Sequence, residues 1–374
     1  MTTLAVVALA FVVYTYFGYP VIIAALARLR PRPRPAPERD VLYEPMVSVC
    51  VAVHDGERLL EAKLASLLSL DYPREKLEFL LCSDGSTDGT EELARRMALA
   101  DPRITVLASD RRLGKPTAVN AMRLRARGEV MVMTDVRQML AKDAVRELVR
   151  PLADPDIGCV SGTMLLVGET GAGAYWRYER LLRGSEARVG SLIGVSGCLY
   201  AIRRQDLVEL PRDLLLDDMF VPLSVVHAMK RVVLAERAFA YDDACDDERE
   251  FSRKVRTLAG NYQLLTKLPW LLLPGKNPVW IQLVSHKLFR LWCPFALLAL
   301  FAASGALALD SRLSPHEAFS WRALWLSQVF FYGLAAFGAR AGRLGTLART
   351  FVVLNAAAVV GLWRFARGRQ AVTW

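Results

Sequence analysis

No CxxC pair occurs anywhere in this chain. Its six cysteines (Cys50, Cys82, Cys159, Cys198, Cys245 and Cys293) are scattered, several of them inside apolar, strand-like runs. Isolated thiols in that setting exclude a zinc site or a disulfide framework and read as buried, reduced residues. No Lys or Arg precedes Arg28, and no small-x-small cleavage site cleanly closes the first apolar run, which argues against a signal peptide. The middle of the chain also lacks a positive excess. Residues 41–285 hold 33 basic and 34 acidic groups, although the whole chain carries +10. The excess lies at the two ends, +3 over residues 1–40 and +8 over residues 286–374. A nucleic-acid binder places such charge on its folded domain, so no nucleic-acid partner is expected.

Apolar residues, by contrast, are abundant. They make up 53% of the chain, and the mean hydropathy is +0.24. A water-soluble domain joined to membrane segments fits this balance. Residues 4–26 form an uncharged run of 23, long enough at about 1.5 Å per residue to cross a hydrocarbon core of roughly 30 Å. Five arginines follow it in "RLRPRPRPAPER" and none precedes it, so the N-terminus is expected outside and the middle domain in the cytoplasm of an inner-membrane protein. The Pro-Arg stretch reads as a stiff linker able to touch anionic membrane lipids. Residues 291–309 and 323–339 read as further spans, and 350–363, only 14 long, as a fourth membrane segment that either spans or stays interfacial or re-entrant, which leaves the side of the C-terminus open. Residues 270–287 read either as an amphipathic piece in the interface or as a helix packed beneath the domain.

Between these ends, strand and helix signals alternate. Strands are expected at 46–53, 77–84, 103–109 and 129–135, with helices near 57–69, from about 88, and near 115–127. Asp88 and Glu91 have capping-box spacing at the second helix. Regular β-α alternation with apolar strands predicts a parallel sheet covered on both faces, with ligands bound beyond the carboxyl ends of the strands. His54, Asp55, Glu57, Asp84 and Asp135 collect at those ends.

The run "VSVCVAVHDGE…LLSLDYPREKLEFLLCSDGSTDGT…GKPTAVNA…MTD" resembles the nucleotide-sugar half of family 2 glycosyltransferases. The likeness continues through "GVSGCLYAIRR", "LLLDDMFVPL" and "REFSRKVRTLAGNYQ", and its nearest look-alikes are membrane synthases of cellulose, hyaluronan and poly-N-acetylglucosamine. The resemblance implies an α/β, GT-A (Rossmann-like) domain. It implies transfer of a sugar from a nucleoside diphosphate, UDP-linked by the same likeness, to a hydroxyl with inversion. On this reading the chain divides into a transmembrane helix (1–27), a linker (28–41), the GT-A domain (42–245), a segment with the arginine motif and interfacial helices (246–290), and C-terminal membrane segments with a basic tail (291–374).

The resemblance also distributes roles. Asp84 matches the nucleoside-binding aspartate; alone it could equally be an Asx turn. Asp55 and Glu57 are nucleoside-pocket candidates, although the family reads more like Tyr-Asn-Glu-Glu where this chain has His54 to Glu57. Lys115 matches a basic position near the nucleotide, against a solvated helix-start lysine. Asp218, the second acid of the family's Glu-Asp pair, is the expected general base. Asp217 beside it raises its proton affinity by like-charge repulsion. The competing reading of the pair is an acidic helix start. Arg256 matches the arginine of the Gln-x-x-Arg-Trp motif and is expected to meet the departing diphosphate. Arg253 replaces the Gln and Thr257 the Trp, which puts processive polymerisation in doubt but not transfer. Tyr175 to Glu186 reads either as aromatic and charged residues that stack on an acceptor or, the favoured reading, as core packing with a charged outer face.

One carboxylate is missing. Where the family has Asp-x-Asp, this chain has Asp135-Val136-Arg137. Side chains two apart on a strand share a face, so Arg137 is aimed at the pocket of Asp135 unless the strand end turns it outward. Mg²⁺ or Mn²⁺ remains expected with Asp135 as ligand, since Mg²⁺ commonly uses one or two carboxylates plus phosphate and water. Arg137 is then expected on phosphate or on an acidic neighbour. Three functions follow: transfer to a glycan acceptor in cell-surface polysaccharide synthesis, transfer to a lipid phosphate or lipid-linked glycan, or an inactive nucleotide-binding scaffold serving a partner synthase or export subunit.

Overall fold

The computed structural model describes residues 1–29, 43–167, 173–243 and 247–371. Most of the Pro-Arg linker (residues 30–41) and Cys245 lie outside them, and the linker's first two residues close the N-terminal helix. The eight strands are β1 (Val47–Val53), β2 (Leu77–Asp84), β3 (Ile104–Ser109), β4 (Val130–Asp135), β5 (Met139–Leu140), β6 (Ile157–Val167), β7 (Leu199–Arg203) and β8 (Arg231–Asp243). They form one sheet in the order β3-β2-β1-β4-β7-β6-β8-β5. The first four strands pair in parallel, as expected. The sheet as a whole is mixed, because β7 runs antiparallel to both β4 and β6.

Burial on both faces explains why β1 and β2 read as continuous apolar runs. Val49, Val51, Phe79 and Leu81 face one core layer, while Cys50, Ala52, Leu80 and Cys82 face the other. The first layer is closed by helices α2 (Glu57–Leu68), α3 (Thr90–Ala100) and α5 (Ala144–Val149). The second is closed by α4 (Lys115–Arg125), α7 (Asp217–His227) and α8 (Asp247–Lys267), with α6 (Gly173–Val189) beside them. Each fully buried Val, Leu or Phe contributes about 1.5–3 kcal/mol, so the two layers fix where the strands end. Those ends position the site. Cys50, Cys82, Cys159, Cys198 and Cys293 are free and buried, as expected.

The capping box at Asp88 is not formed. Helix α3 starts at Thr90; Asp88 Oδ1 accepts from Thr90 N at 3.0 Å, and Glu91 pairs with Arg95 instead. Asp88 Oδ2 also accepts from Glu57 N at 3.1 Å, so the residue ties two loops together rather than capping one helix.

Three stretches are long and apolar enough to cross a membrane: α1 (Thr2–Leu29), α9 (Trp280–Ala308) and Pro315–Ala366. The third breaks at Gly338 and Gly342, whose φ values of +56° and +69° are left-handed, into α10 (Pro315–Phe337) and α11 (Gly342–Ala366). A true capping box, Ser314 with Glu317, starts α10. The segment read at 350–363 is longer than its apolar run. It belongs to a helix of 25 residues that begins at Gly342 and packs on α8 and α10. The sequence window missed the first turns because Arg343 and Arg349 interrupt the apolar run. The stretch 270–287 takes the second of its two readings on one side: Leu271, Val279 and Leu283 are buried in the domain core.

Candidate active site

The loops after β1 and β2 clasp each other. Asp55 Oδ1 accepts from Thr87 N at 2.7 Å, and Glu57 Oε2 accepts from Gly89 N at 3.1 Å. The Thr87 amide holds the Asp55 carboxyl below its usual range. His54 Nδ1 donates to the Asp84 carbonyl at 2.9 Å, and its Nε2 lies 3.2 Å from Asp55. Asp84 is nearly fully buried; its two oxygens accept from Leu113 N at 2.7 Å and Gly114 N at 2.9 Å. It thereby fixes the loop that launches α4. Gly85 follows at φ +62°, and a Cβ there would sit 2.4 Å from Arg112 N. Gly85→Ala is accordingly expected to cost about 1–3 kcal/mol, from left-handed backbone plus that clash. A denaturant melt checks this, and an unchanged midpoint contradicts it.

Helix α4 delivers Lys115 to the centre. Its Nζ lies 3.0 Å from Asp135 Oδ1 at the end of β4 and 3.3 Å from Asp217 Oδ2 at the start of α7. Burial opposes the lysine's charge, but Asp135, Asp217 and Asp218 together hold its pKa above the ordinary value. Asp217 and Asp218 open α7, so the helix start and the acid pair are one feature rather than alternatives. Asp218 is pushed up to about 6 by burial and then by the charge of Asp217, with Lys115 opposing. Its side chain lies against Gly197, where a Cβ would stand 3.4 Å from Asp218 Oδ2.

Arg256 comes from α8. Burial lowers its pKa, while Asp217, Asp218 and Asp135 act in the opposite direction, so its guanidinium faces the same carboxylates. Thr257, in the place of the family's Trp, donates back to Arg253 O at 3.0 Å and offers no aromatic floor. Arg137 pairs with Asp242 of β8, and Gln138 Nε2 donates to the same carboxylate at 2.8 Å. Asp242 is thus an acidic neighbour of the kind expected for Arg137.

Sequence reading missed two groups. Lys63 is fully buried on α2 beneath the Asp135–Gln138 turn and donates to Thr134 Oγ1 at 2.8 Å and to Gln138 O. Burial lowers its pKa to about 7. The signal was present: Lys63 shares the helical face of Leu60, Leu64 and Leu67. The second group is Glu179 and Glu186 of α6. Glu186 is completely buried against α1 and α9, while Arg177, Arg180 and Arg188 form the charged outer face expected for this helix.

His54, Asp55, Lys115, Asp135, Arg137, Asp217, Asp218 and Arg256, with Glu179 and Glu186, border one cavity of about 1940 Å³; Glu57, Asp84 and Lys63 do not line it. It runs from His54 and Asp55, past Lys115, Asp135 and the Asp217–Asp218 pair, to Tyr16 of α1, Arg290 of α9 and Asn355 of α11. Single-ligand cavities are commonly up to about 1,000 Å³, so this one has room for two substrates. Among the described residues no three His, Cys, Asp or Glu converge as a ready metal site. Asp135 nevertheless faces the cavity with its carboxylate 41% exposed. That fits a divalent ion sharing its remaining positions between phosphate and water.

Four parallel strands, an antiparallel turn-back and a site at the strand ends define the GT-A class. The solved mannosyltransferase PcManGT from Pyrobaculum calidifontis, in complex with GDP-Man and Mn2+, has the same fold over nearly the whole length. The TM-score is 0.76 at 24% identity, covering 98% of this chain and 99% of that one. Residues 48–209 match the family described as Glycosyl transferase family 2, and the chain carries a family 2 glycosyltransferase domain. Glycosyltransferase AglE of Haloferax volcanii is 26% identical over 165 residues, covering 44% of this chain and 54% of that protein. An N-acetylglucosaminyltransferase of Rhizobium leguminosarum bv. viciae is 27% identical over 185 residues, covering 46% and 43%. The beta-monoglucosyldiacylglycerol synthase of Synechocystis is 26% identical over 164 residues, covering 40% and 34%. The chain thus spans about half or less of the length of these curated relatives.

Proposed function

We propose that this chain is a membrane-embedded, inverting glycosyltransferase. It moves a sugar from a nucleoside diphosphate, held over the clasped loops of Asp55, Glu57 and Asp84, to a hydroxyl of an acceptor that arrives from the membrane side. The observation that carries this reading is the continuous cavity joining the Asp217–Asp218 pair to α1, α9 and α11. An acceptor entering that way is carried by a lipid, and the absence of an aromatic floor at Thr257 favours short products over a long polymer. The product then serves assembly of a cell-surface glycan. The intact cluster of Lys115, Asp135, Asp217, Asp218 and Arg256 favours an enzyme over an inactive scaffold of a synthase complex. The basic ends of the chain favour a cytoplasmic domain.

The chemistry follows from the charges. Asp218 takes the proton of the acceptor hydroxyl. The hydroxyl oxygen bonds to the anomeric carbon from the face opposite the diphosphate. The bond from that carbon to the phosphate oxygen breaks, and the diphosphate leaves with the electron pair. Arg256 meets its negative charge, and Lys115 holds Asp135 and Asp217 in place. A single base and a direct displacement give inversion; a covalent route needs a second carboxylate on the opposite face. A divalent ion held by Asp135 would add positive charge at the diphosphate. EDTA is expected to lower transfer by membranes containing the full chain, and Mg²⁺ or Mn²⁺ to restore it, but not in Asp135→Ala. Labelled-sugar transfer measures this, and an Asp135→Ala variant with unchanged activity and metal response refutes the assignment.

A further inference from the structure

The end of the cavity nearest the membrane helices holds a cluster of charges that the transfer step does not use. Glu186 Oε1 accepts from the Tyr19 hydroxyl at 2.7 Å and faces His286 Nδ1 at 2.8 Å. Glu179 faces His286 Nε2 at 3.2 Å and pairs with Arg290. Arg183 donates to Ser161 Oγ at 2.8 Å. Lys287, next to His286, lines the same cavity and makes no hydrogen bond or ion pair among the described residues. Two carboxylates therefore face the basic groups of Arg183, Lys287 and Arg290. Arg177, Arg180 and Arg343 add more positive charge along the cavity wall. Cations withdrawn from water need counter-charge, and this chamber is short of it.

The backbone is also irregular at this level. Helices α1 and α9 each widen into a π turn, at Tyr14–Gly18 and Leu283–Leu288, and the Tyr14 hydroxyl lies 2.9 Å from Ser285 Oγ across them. Such turns interrupt regular helix bonding and concentrate at functional sites. The one in α9 carries Lys287.

We propose that Lys287, with Arg183 and Arg290, forms a subsite for the phosphate or diphosphate group of a lipid carrier. This rests on the transfer reading above and names its acceptor class: a phosphate-bearing lipid whose attached hydroxyl reaches Asp218. Ammonium and guanidinium groups on two helices match the spread oxygens of a phosphate. Leu347, Leu354 and Ala358 of α11 give the cavity an apolar wall along which a lipid chain can lie. The Lys287 charge is also among those that act on Asp218, which places the subsite within electrostatic reach of the base.

The test is equilibrium binding to the full chain in detergent, with farnesyl phosphate, farnesol and inorganic phosphate as probes. The native chain is expected to prefer farnesyl phosphate to farnesol by at least about tenfold, and to bind inorganic phosphate far more weakly. Lys287→Gln is expected to cut that preference at least about threefold, and Lys287→Arg to keep it. The preference is a ratio within one sample, so it is insensitive to partial misfolding. It needs no sugar turnover, so it stands or falls separately from the transfer reading. Equal affinity for farnesol and farnesyl phosphate, an unchanged ratio in Lys287→Gln, or inorganic phosphate binding as tightly as the lipid overturns the proposal.

Discussion

Asp218→Asn is expected to lower the rate of sugar transfer by roughly 10²–10⁴-fold, the usual contribution of a positioned general base. Asparagine keeps the size and the contact with Gly197 but cannot take a proton, so nucleotide binding and the melting temperature should change little. The native pH profile should show the same group. Asp218 is pushed up to about 6 by burial and by Asp217, and the base works only when ionised. The value of kcat/KM should therefore rise through about pH 6 and level off above it. A profile flat from pH 5 to 8, or an Asp218→Asn variant of native activity, removes Asp218 from the role.

Lys115→Met is expected to damage both stability and chemistry. The lysine is the shared counter-charge of Asp135 and Asp217, at 3.0 and 3.3 Å. Removing one partner of a buried charge cluster commonly costs 3–5 kcal/mol; the exposure of Asp135 puts the expected loss at the lower end, about 3 kcal/mol. The sign of the pH effect follows from the same geometry. Lys115 opposes the rise at Asp218, so its loss moves the acid limb of kcat/KM above the native position near pH 6. Lys115→Arg keeps the charge and should hold the limb near its native position. Unchanged stability together with an unmoved limb in Lys115→Met would show that the lysine is merely solvated.

The sequence made the first half of this site legible and hid the second, for a physical reason. The strand signals at 46–53, 77–84, 103–109 and 129–135 fall within a residue of the observed β1 to β4, because strands buried on both faces write continuous apolar runs. Their ends carry Asp55, Asp84 and Asp135, so the proposed donor pocket is local in sequence. Ion-pair partners are not local. Arg137 meets Asp242 across 105 positions, and Glu186 meets His286 across 100. No window-based pattern links them. The antiparallel β7 was hidden for a related reason: its five residues are uniformly buried, and only pairing decides their direction. Helix α11 was read too short because its first turns carry the arginines that line the cavity or flank it. Lys63, by contrast, was within reach, since a lysine on the apolar stripe of an amphipathic helix has to find buried acceptors.

Inverting transfer onto a lipid-borne acceptor at Asp218, as proposed, has a direct test. The most direct measurement incubates membranes containing the full chain with labelled UDP-, GDP- and dTDP-sugars, extracts the lipid and determines the anomeric configuration of the product. Label is expected in the lipid fraction from at least one donor, with the configuration opposite to the donor's, and none from Asp218→Asn. Retained configuration, or no lipid-linked label from any donor, would contradict it.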